Sequence, residues 1–591
     1  MKKYLLIALA ALGIAACTEK IDDNSPIQKG ELEESYIAIN LMSADVETRA
    51  VADDIGNADE YGYEKGTENE RKITSAHFFF FKEGTPFNVN TTDAPATAPG
   101  GNSNHISLNI TDANPNDDAM ENVSDIKDAV LVLSTYKGYY PNQIVAVLNW
   151  TPADRAYTLE ELHDVAMNSL GNDTNGYVMS NSVYMDGSNK MVDVVNITDA
   201  NIQLTPEAAK SAPIDIYVER TAAKVVLTAN GKVIGTDNIF DTQKNSTPIV
   251  TLGSASEIDV YVKLHGWELY NDYSTSSLLK NIDTAWDPAV LGLTWNDIPY
   301  YRCYWAESQD TAHDDSFSWT YNEAAMAAKG FQTKYGFKVA SAADYTDRTT
   351  YTYCGENTNQ VIRSGEVITS DPRTKVILKG QLMQKNGETY EPLELARWYG
   401  TEYAGNEALR IAVANSLKYT LFSSDDQVTY SPIQPEDLQC VAGEPLGAEA
   451  YEVGFQLSTA GKAKRWYQYS SESGHVVFGD NGVPGDNIVK TDEYLKGVEP
   501  ALLYAEGMTY YIVDIKHLGA TGKTAEYGVV RNHVYQIDIN SIFGYGSPVY
   551  SALDFIVDQP EYPIEDEASY VAARINVLSW KVVQQGVDIV Q

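Results

Sequence analysis

The sequence predicts an all-β protein: mainly β, with short helical insertions. Three observations lead there. Apolar residues alternate with polar ones along many segments, as in Ile106-Ser107-Leu108-Asn109-Ile110 and again at Val260, Val262 and Leu264, which is the period of a half-buried strand. Tyrosine outnumbers phenylalanine 40 to 14, which suits sheet faces whose ring bodies are covered and whose hydroxyls reach water. Helical spacing is confined to short stretches set between strand patterns, the arrangement expected of β-sandwiches. The 591 residues are enough for several cores. The net charge of −39 favours solubility and opposes nucleic acid as a partner.

The chain starts with Lys2 and Lys3, an apolar run over 4–12, and Ile14-Ala15-Ala16-Cys17. The run is too short to span a bilayer as a mature helix. Small residues before a cysteine at this depth resemble a bacterial lipobox, which implies cleavage ahead of Cys17 and lipidation of that residue. Residues 18–28 read as a polar tether. Ile37, Ile39 and Leu41 fall on one face and predict a first strand. The polar stretch that follows, 45–54, carries Arg49-Ala50, a bond suited to an arginine-specific protease if the loop is exposed.

Strands are predicted over 73–82, with its run Phe78-Phe79-Phe80-Phe81, and over 106–110, 129–135 and 143–150. Thr158 and Glu161 form a capping box ahead of Leu159, Leu162, Ala166 and Leu170, so a helix is expected over 159–170. Segments 176–181 and 214–228 read as strands, and 231–248 as a loosely patterned link. The second half predicts strands over 258–267, 376–382, 476–478, 508–518 and 529–539, with helical patches at 322–329 and 406–417. The C-terminus carries Ile575, Val577, Leu578, Trp580, Val582, Val583, Val587 and Ile589. This is one or two strands whose phase slips at Leu578 and Val583, as a bulge or break allows. Such a terminal strand can pair within its own subunit or complete a neighbour.

Local catalytic patterns are absent. The sequence has no His-Glu-x-x-His, phosphate-loop lysine motif, Gly-x-Ser-x-Gly or Cys-x-x-Cys, so no enzyme, cofactor or metal is predicted. The cluster from Asp480 to Asn487 reads as a turn before it reads as a calcium loop. His77 reads as a core histidine, His533 as a structural residue of a strand, and Glu219 with Arg220 as a strand-edge ion pair. Beyond Cys17 there are Cys303, Cys354 and Cys440. A pairing of Cys303 with Cys354 and a set of buried thiols both remain open.

Several stretches together carry a family resemblance: the lipobox ending at Cys17, Thr48-Arg49-Ala50, Tyr177-Val178-Met179-Ser180-Asn181, and the 218–225 segment with Glu219-Arg220-Thr221. Gly266-Trp267-Glu268-Leu269, Cys354-Gly355-Glu356-Asn357-Thr358 and Arg531-Asn532-His533 complete it. With these the chain resembles the fimbrillins of Bacteroidetes type V pili, close to minor-fimbria stalk subunits. The resemblance implies two transthyretin-like β-sandwich domains in tandem. Residues 1–16 would be a lipoprotein signal peptide and 17–49 a propeptide. An N-terminal domain over 50–232 and a C-terminal domain over 233–591 would follow, the latter ending in a donor strand at 574–591. It also implies a precursor lipid-anchored at the outer membrane and cut after Arg49 by an arginine-specific protease. The displaced strand would be Ile37, Ile39 and Leu41. The donor, with Ile575, Val577, Trp580, Val582, Val583, Val587 and Ile589, would join other copies and related fimbrial subunits head to tail in a cell-surface fimbrium serving adhesion. The competing readings are a lipid-anchored glycan-binding protein, which requires an exposed aromatic platform, and a fimbrial tip or anchor subunit.

Overall fold

The computed structural model describes residues 32–43, 67–88, 104–109, 128–136, most of 140–282 and most of 351–442. Two-residue pairs at 306–307 and 337–338, most of 452–548, then 555–556, 570–579 and 584–586 complete it. Within them the protein is mostly β, in several sheets, as the alternation predicts.

The first sheet is built from β1 (Leu32–Ser43), β2 (Ser75–Lys82), β3 (His105–Asn109), β4 (Asp128–Tyr136), β5 (Gln143–Leu148), β6 (Met179–Asn181) and β7 (Ile214–Arg220). Its order is β2-β5-β6-β7-β1-β4, with β3 on the outer edge of β2. The phenylalanine run shows why β2 is central to packing. Successive side chains on a strand point to opposite faces. Phe78 and Phe80 enter one core with Ile37, Leu131, Ile144 and Ile216, while Phe79 and Phe81 enter a second with Tyr157, Leu162, Val178 and Leu278. His77 is a core histidine as expected: it is buried, and its Nδ1 lies 2.8 Å from Ser107 Oγ.

Three short helices flank this sheet: α1 (Glu68–Arg71), α2 (Leu159–His163) and α3 (Pro206–Lys210). The Thr158–Glu161 capping box is present, but α2 stops far short of the 159–170 helix expected. Its continuation, Ala166–Met167, is a strand paired with Ser276–Ser277. A long-range backbone pairing overrides the local helical period there.

Beyond the first sheet come β8 (Ala222–Ala229), β9 (Val260–Tyr270), β10 (Tyr351–Gly355), β11 (Lys375–Asn386), β12 (Leu395–Trp398) and β13 (Thr401–Ala404). Next are α4 (Gly405–Leu417), β14 (Leu421–Ser423), β15 (Ser431–Pro432), β16 (Leu438–Ala442), β17 (Glu452–Leu457), β18 (Trp466–Ser470) and β19 (Gly474–Val477). The chain continues through α5 (Asp486–Leu495), β20 (Ala501–Tyr504), β21 (Met508–Asp514), β22 (His533–Phe543), β23 (Tyr570–Ser579) and β24 (Gln584–Gly586).

The sheet β8-β22-β23-β24, with β10 on the free side of β8, packs against the sheet β9-β11-β21. Val225, Leu227, Tyr535 and Ile537 from the first meet Val262, Trp267, Leu378 and Tyr511 from the second in one core. A third core lies between the sheet β13-β12-β20-β17-β16 and helices α4 and α5, filled by Leu409, Val413, Phe455, Trp466 and Leu495. The predicted helix at 406–417 is α4. The helical patch at 322–329 lies outside the described residues. The 214–228 stretch, read as strand throughout, is shared between two sheets: Arg220 ends the first and Ala222 begins the next. The turning point is Thr221, whose amide donates to the Val178 carbonyl at 2.9 Å.

Candidate functional site

β1 is an interior strand of its sheet although it comes first in the chain. It pairs antiparallel with β4 from Leu32↔Tyr136 to Asn40↔Asp128, and parallel with β7 from Ile39↔Ile214 to Ser43↔Val218. Ahead of the parallel stretch, the Tyr36 amide donates to the Gln203 carbonyl at 2.6 Å and the Gln203 amide to the Tyr36 carbonyl at 2.9 Å. Ile37 is fully buried in the core beneath. Ile39 sits opposite Ala129 and Ile214, and Leu41 opposite Ile216. Among the described residues β4 joins the sheet only through β1. A strand so placed fills a slot that later chain has built, and its loss would leave two strand edges without backbone partners.

A second constellation lies where the first sheet hands over to the sandwich. Four of the stretches singled out in the sequence converge there. Glu219, at the end of β7, lies 2.9 Å from Lys280 Nζ, and both side chains are buried. Arg531 Nε donates to Glu356 Oε2 at 2.9 Å, and its two terminal nitrogens donate to the Ser277 and Leu278 carbonyls at 2.7 and 3.1 Å. Arg220 Nε donates to the Glu70 carbonyl at 2.6 Å and Nη1 to Asn532 Oδ1 at 3.0 Å. Asn532 adopts φ +59°, a left-handed conformation that asparagine tolerates better than most residues. The Glu70 carboxylate takes Lys224 Nζ at 2.9 Å and the Tyr353 hydroxyl. Ser180 Oγ donates to the Leu278 carbonyl at 2.7 Å.

The two carboxylates respond differently to this environment. Burial pushes Glu219 above the usual carboxylate range, against the opposing charges of Lys280 and Arg531. Burial acts the same way on Glu70, but the Tyr353 and Lys224 hydrogen bonds outweigh it and hold that group below the range. The arrangement can lock two β-layers together: Lys224 pairs with Glu70, Lys280 with Glu219 and Arg531 with Glu356, while Arg220 donates to a carbonyl and an amide oxygen. Among the described residues no group of His, Cys, Asp and Glu could hold a metal ion.

This corrects the expectation of a Glu219–Arg220 strand-edge pair. The two residues are adjacent on a strand and point to opposite faces, so each finds a different partner, and β7 is interior. Sequence reading missed Lys280, Glu70 and Tyr353. The available signal was a pair of charges, Glu219-Arg220, directly following the apolar end of a buried strand. His533 lies in a strand as expected: it is buried at the head of β22 with Nδ1 2.8 Å from the Arg531 carbonyl. Gly266-Trp267 lies in β9, where the pairing register shifts between Leu264 and Gly266 and Trp267 is fully buried. Cys354 is buried on β10, and the Cys440 thiol donates to Asn406 Oδ1 at 2.9 Å. Asp486 and Asn487 of the predicted turn cluster open α5.

At the C-terminus, β23 pairs antiparallel with β22 from His533↔Ser579 to Phe543↔Tyr570, and β24 folds back on β23. Ile575 stands opposite Ile537 and Val577 opposite Tyr535. Cys17, Arg49, Ala50, Cys303, Trp580, Val582, Val583, Val587 and Ile589 lie outside the described residues.

Fold and site together define a protein of packed β-sheets in which an N-terminal strand completes a sheet made by later chain and the C-terminal strands lie on a sandwich edge. Residues 502–586, from within β20 to the end of β24, match the family described as major fimbrial subunit protein type IV, fimbrillin, C-terminal. The fimbrillin resemblance is met over that part of the chain. No curated protein matches the chain. Among solved structures, a putative cell adhesion protein from Parabacteroides distasonis is similar at 12% identity and TM-score 0.33, covering 93% of this chain and 99% of its own. A fimbrilin from Porphyromonas gingivalis has 13% identity and TM-score 0.33, with 94% and 98% covered. The tip fimbrial protein Mfa3 of the same species, with C-terminal truncation, has 10% identity and TM-score 0.26, with 92% and 99% covered.

Proposed function

We propose that this chain is the precursor of a polymerising, adhesive pilus subunit. In this reading it is exported as a lipoprotein on Cys17 and activated by cleavage between Arg49 and Ala50. The observation that carries the proposal is the interior position of β1, held between β4 and β7 yet joined to the rest of the chain by the segment that contains Arg49. Cleavage there frees β1 to leave. The slot it vacates is lined by the β4 and β7 edges and floored by the core that holds Ile37. A strand from another copy satisfies those edges and fills pockets at every second side chain. Because the contact is head to tail and does not close, it produces a filament.

The donor is the C-terminal segment 574–591. Its first part, with Ile575 and Val577, pairs with β22 of its own chain in the precursor and is released or extended on assembly. The match of 502–586 to a fimbrillin C-terminal family supports reading this end of the chain as a fimbrillin C-terminus, up to β24.

The test uses soluble precursor beginning after Cys17. It is treated with an arginine-specific protease, its new N-terminus is read, and the product is run unboiled on a denaturing gel. A new N-terminus at Ala50 with a ladder of oligomers is the expected result. A cleaved chain that stays monomeric refutes strand exchange.

A further inference from the structure

The small sheet β15-β14-β18-β19 has one face in the third core, through Leu421 and Trp466. The opposite face of an antiparallel sheet is ordinarily polar. Here it carries Phe422 of β14, Tyr467 and Tyr469 of β18 and His475 of β19, in register with one another: Phe422 stands opposite Tyr467, and Tyr469 opposite His475. Tyr430, just ahead of β15, is laid across them. It stacks on His475 with centroids 3.7 Å apart and planes 5° from parallel, and meets Tyr467 edge-on at 5.2 Å. Tyr469 and Phe422 each lie 4.8 Å from the His475 ring. Tyr469 remains 40% exposed.

Two polar atoms in this cluster have no hydrogen-bond partner among the described residues: the hydroxyl of Tyr467, a residue only 4% exposed, and Nε2 of His475. Buried polar atoms without partners are uncommon and costly. Tyr430, which covers both side chains, follows the loop 424–429, exposed from Asp425 to Thr429, and its hydroxyl donates to the Gln427 carbonyl at 3.2 Å. That loop is pinned by Asp426, whose carboxylate accepts from the Val428 and Thr429 amides at 2.9 and 2.7 Å.

We infer that this face is a binding site for a neutral glycan. Tyr469 and Phe422 offer rings on which the C–H face of a sugar stacks. With Tyr430 swung aside, the Tyr467 hydroxyl and His475 Nε2 take up sugar hydroxyls. The surrounding charge, three carboxylates against the Arg465 guanidinium 6.0 Å from the Tyr467 ring centre, selects against sulfated or carboxylated sugars. The loop holding Tyr430 carries Asp425 and Asp426, the turn between β18 and β19 carries Glu472, and the chain as a whole stands at −39. None of these residues belongs to β1 or to the C-terminal strands, so the inference stands or falls separately from the assembly proposal.

The experiment is isothermal titration of the purified chain with cellohexaose, mannohexaose and chitohexaose, and with a heparin hexasaccharide as the anionic comparison. At least one neutral hexasaccharide binds with Kd below about 1 mM. Tyr469→Ala and His475→Gln each weaken it by about tenfold or more, while Tyr399→Ala, at an exposed tyrosine outside this face, leaves it unchanged. Because Tyr469 is exposed, its variant keeps the parent's thermal unfolding. Binding of none of the neutral sugars overturns the inference. So does preference for heparin, or binding that Tyr469→Ala leaves intact. Self-association by light scattering that Tyr469→Ala abolishes overturns it in favour of a second copy of the chain.

Discussion

Replacing Arg531 by methionine tests whether the buried junction holds the two β-layers together. The guanidinium is fully buried and makes three bonds, to Glu356, Ser277 and Leu278. Methionine keeps much of the volume but none of the donors. It leaves two carbonyls without this donor and strands the Glu356 carboxylate, itself 4% exposed, without its cation. Breaking a buried pair from one side costs about 3–5 kcal/mol. With an m-value of about 3 kcal/mol/M in urea for a body of this size, the unfolding midpoint falls by about 1–2 M. The assay is urea unfolding followed by tryptophan fluorescence and near-ultraviolet circular dichroism. The expected partial rescue is Arg531→Met combined with Glu356→Gln, because the stranded charge is then gone; it recovers about 1 kcal/mol or more. A single variant whose midpoint moves by less than about 0.3 M (about 1 kcal/mol at that slope) refutes the argument, as does a double variant no better than the single.

Two further outcomes follow from the structure. Burial, and secondarily the neighbouring His105, lower the His77 pKa from 6.5 to about 4. The unfolded chain therefore takes up a proton near pH 6.5 that the folded one refuses until about pH 4. The stabilisation is complete above 6.5 and is lost as pH falls through that window, with a slope of at most about 1.4 kcal/mol per pH unit. Thermal unfolding of the N-terminal sheet between pH 7 and 4 should show this fall, and His77→Gln should flatten it. Deleting Val587 to Gln591 should leave the described β22–β24 pairing and the monomer's thermal unfolding intact while slowing oligomer formation after cleavage. A truncated chain that polymerises at the parent's rate removes those residues from the donor.

The sequence by itself determined many of the strands and which of their faces are apolar, because alternation and capping are short-range physics. Ile37, the phenylalanine run of β2, the Trp267 strand and the Thr158–Glu161 cap were legible for that reason. The sequence predicted neither β10 nor β12 to β18 nor β20. Alternation says that a face is covered but not by what. The chain therefore gave no sign that β1 lies between β4 and β7, or that 214–228 is shared by two sheets at Thr221. Nor did it show that Glu219 reaches Lys280 while Arg220 reaches Asn532, 312 positions away. The aromatic residues of β14, β18 and β19 carried no pattern that singled them out, and only the register put their rings on one outer face. Partners of this kind are set by which distant strands dock and in what register. That choice minimises the buried backbone and charge left unpaired over the whole molecule, so only the tertiary structure could decide it.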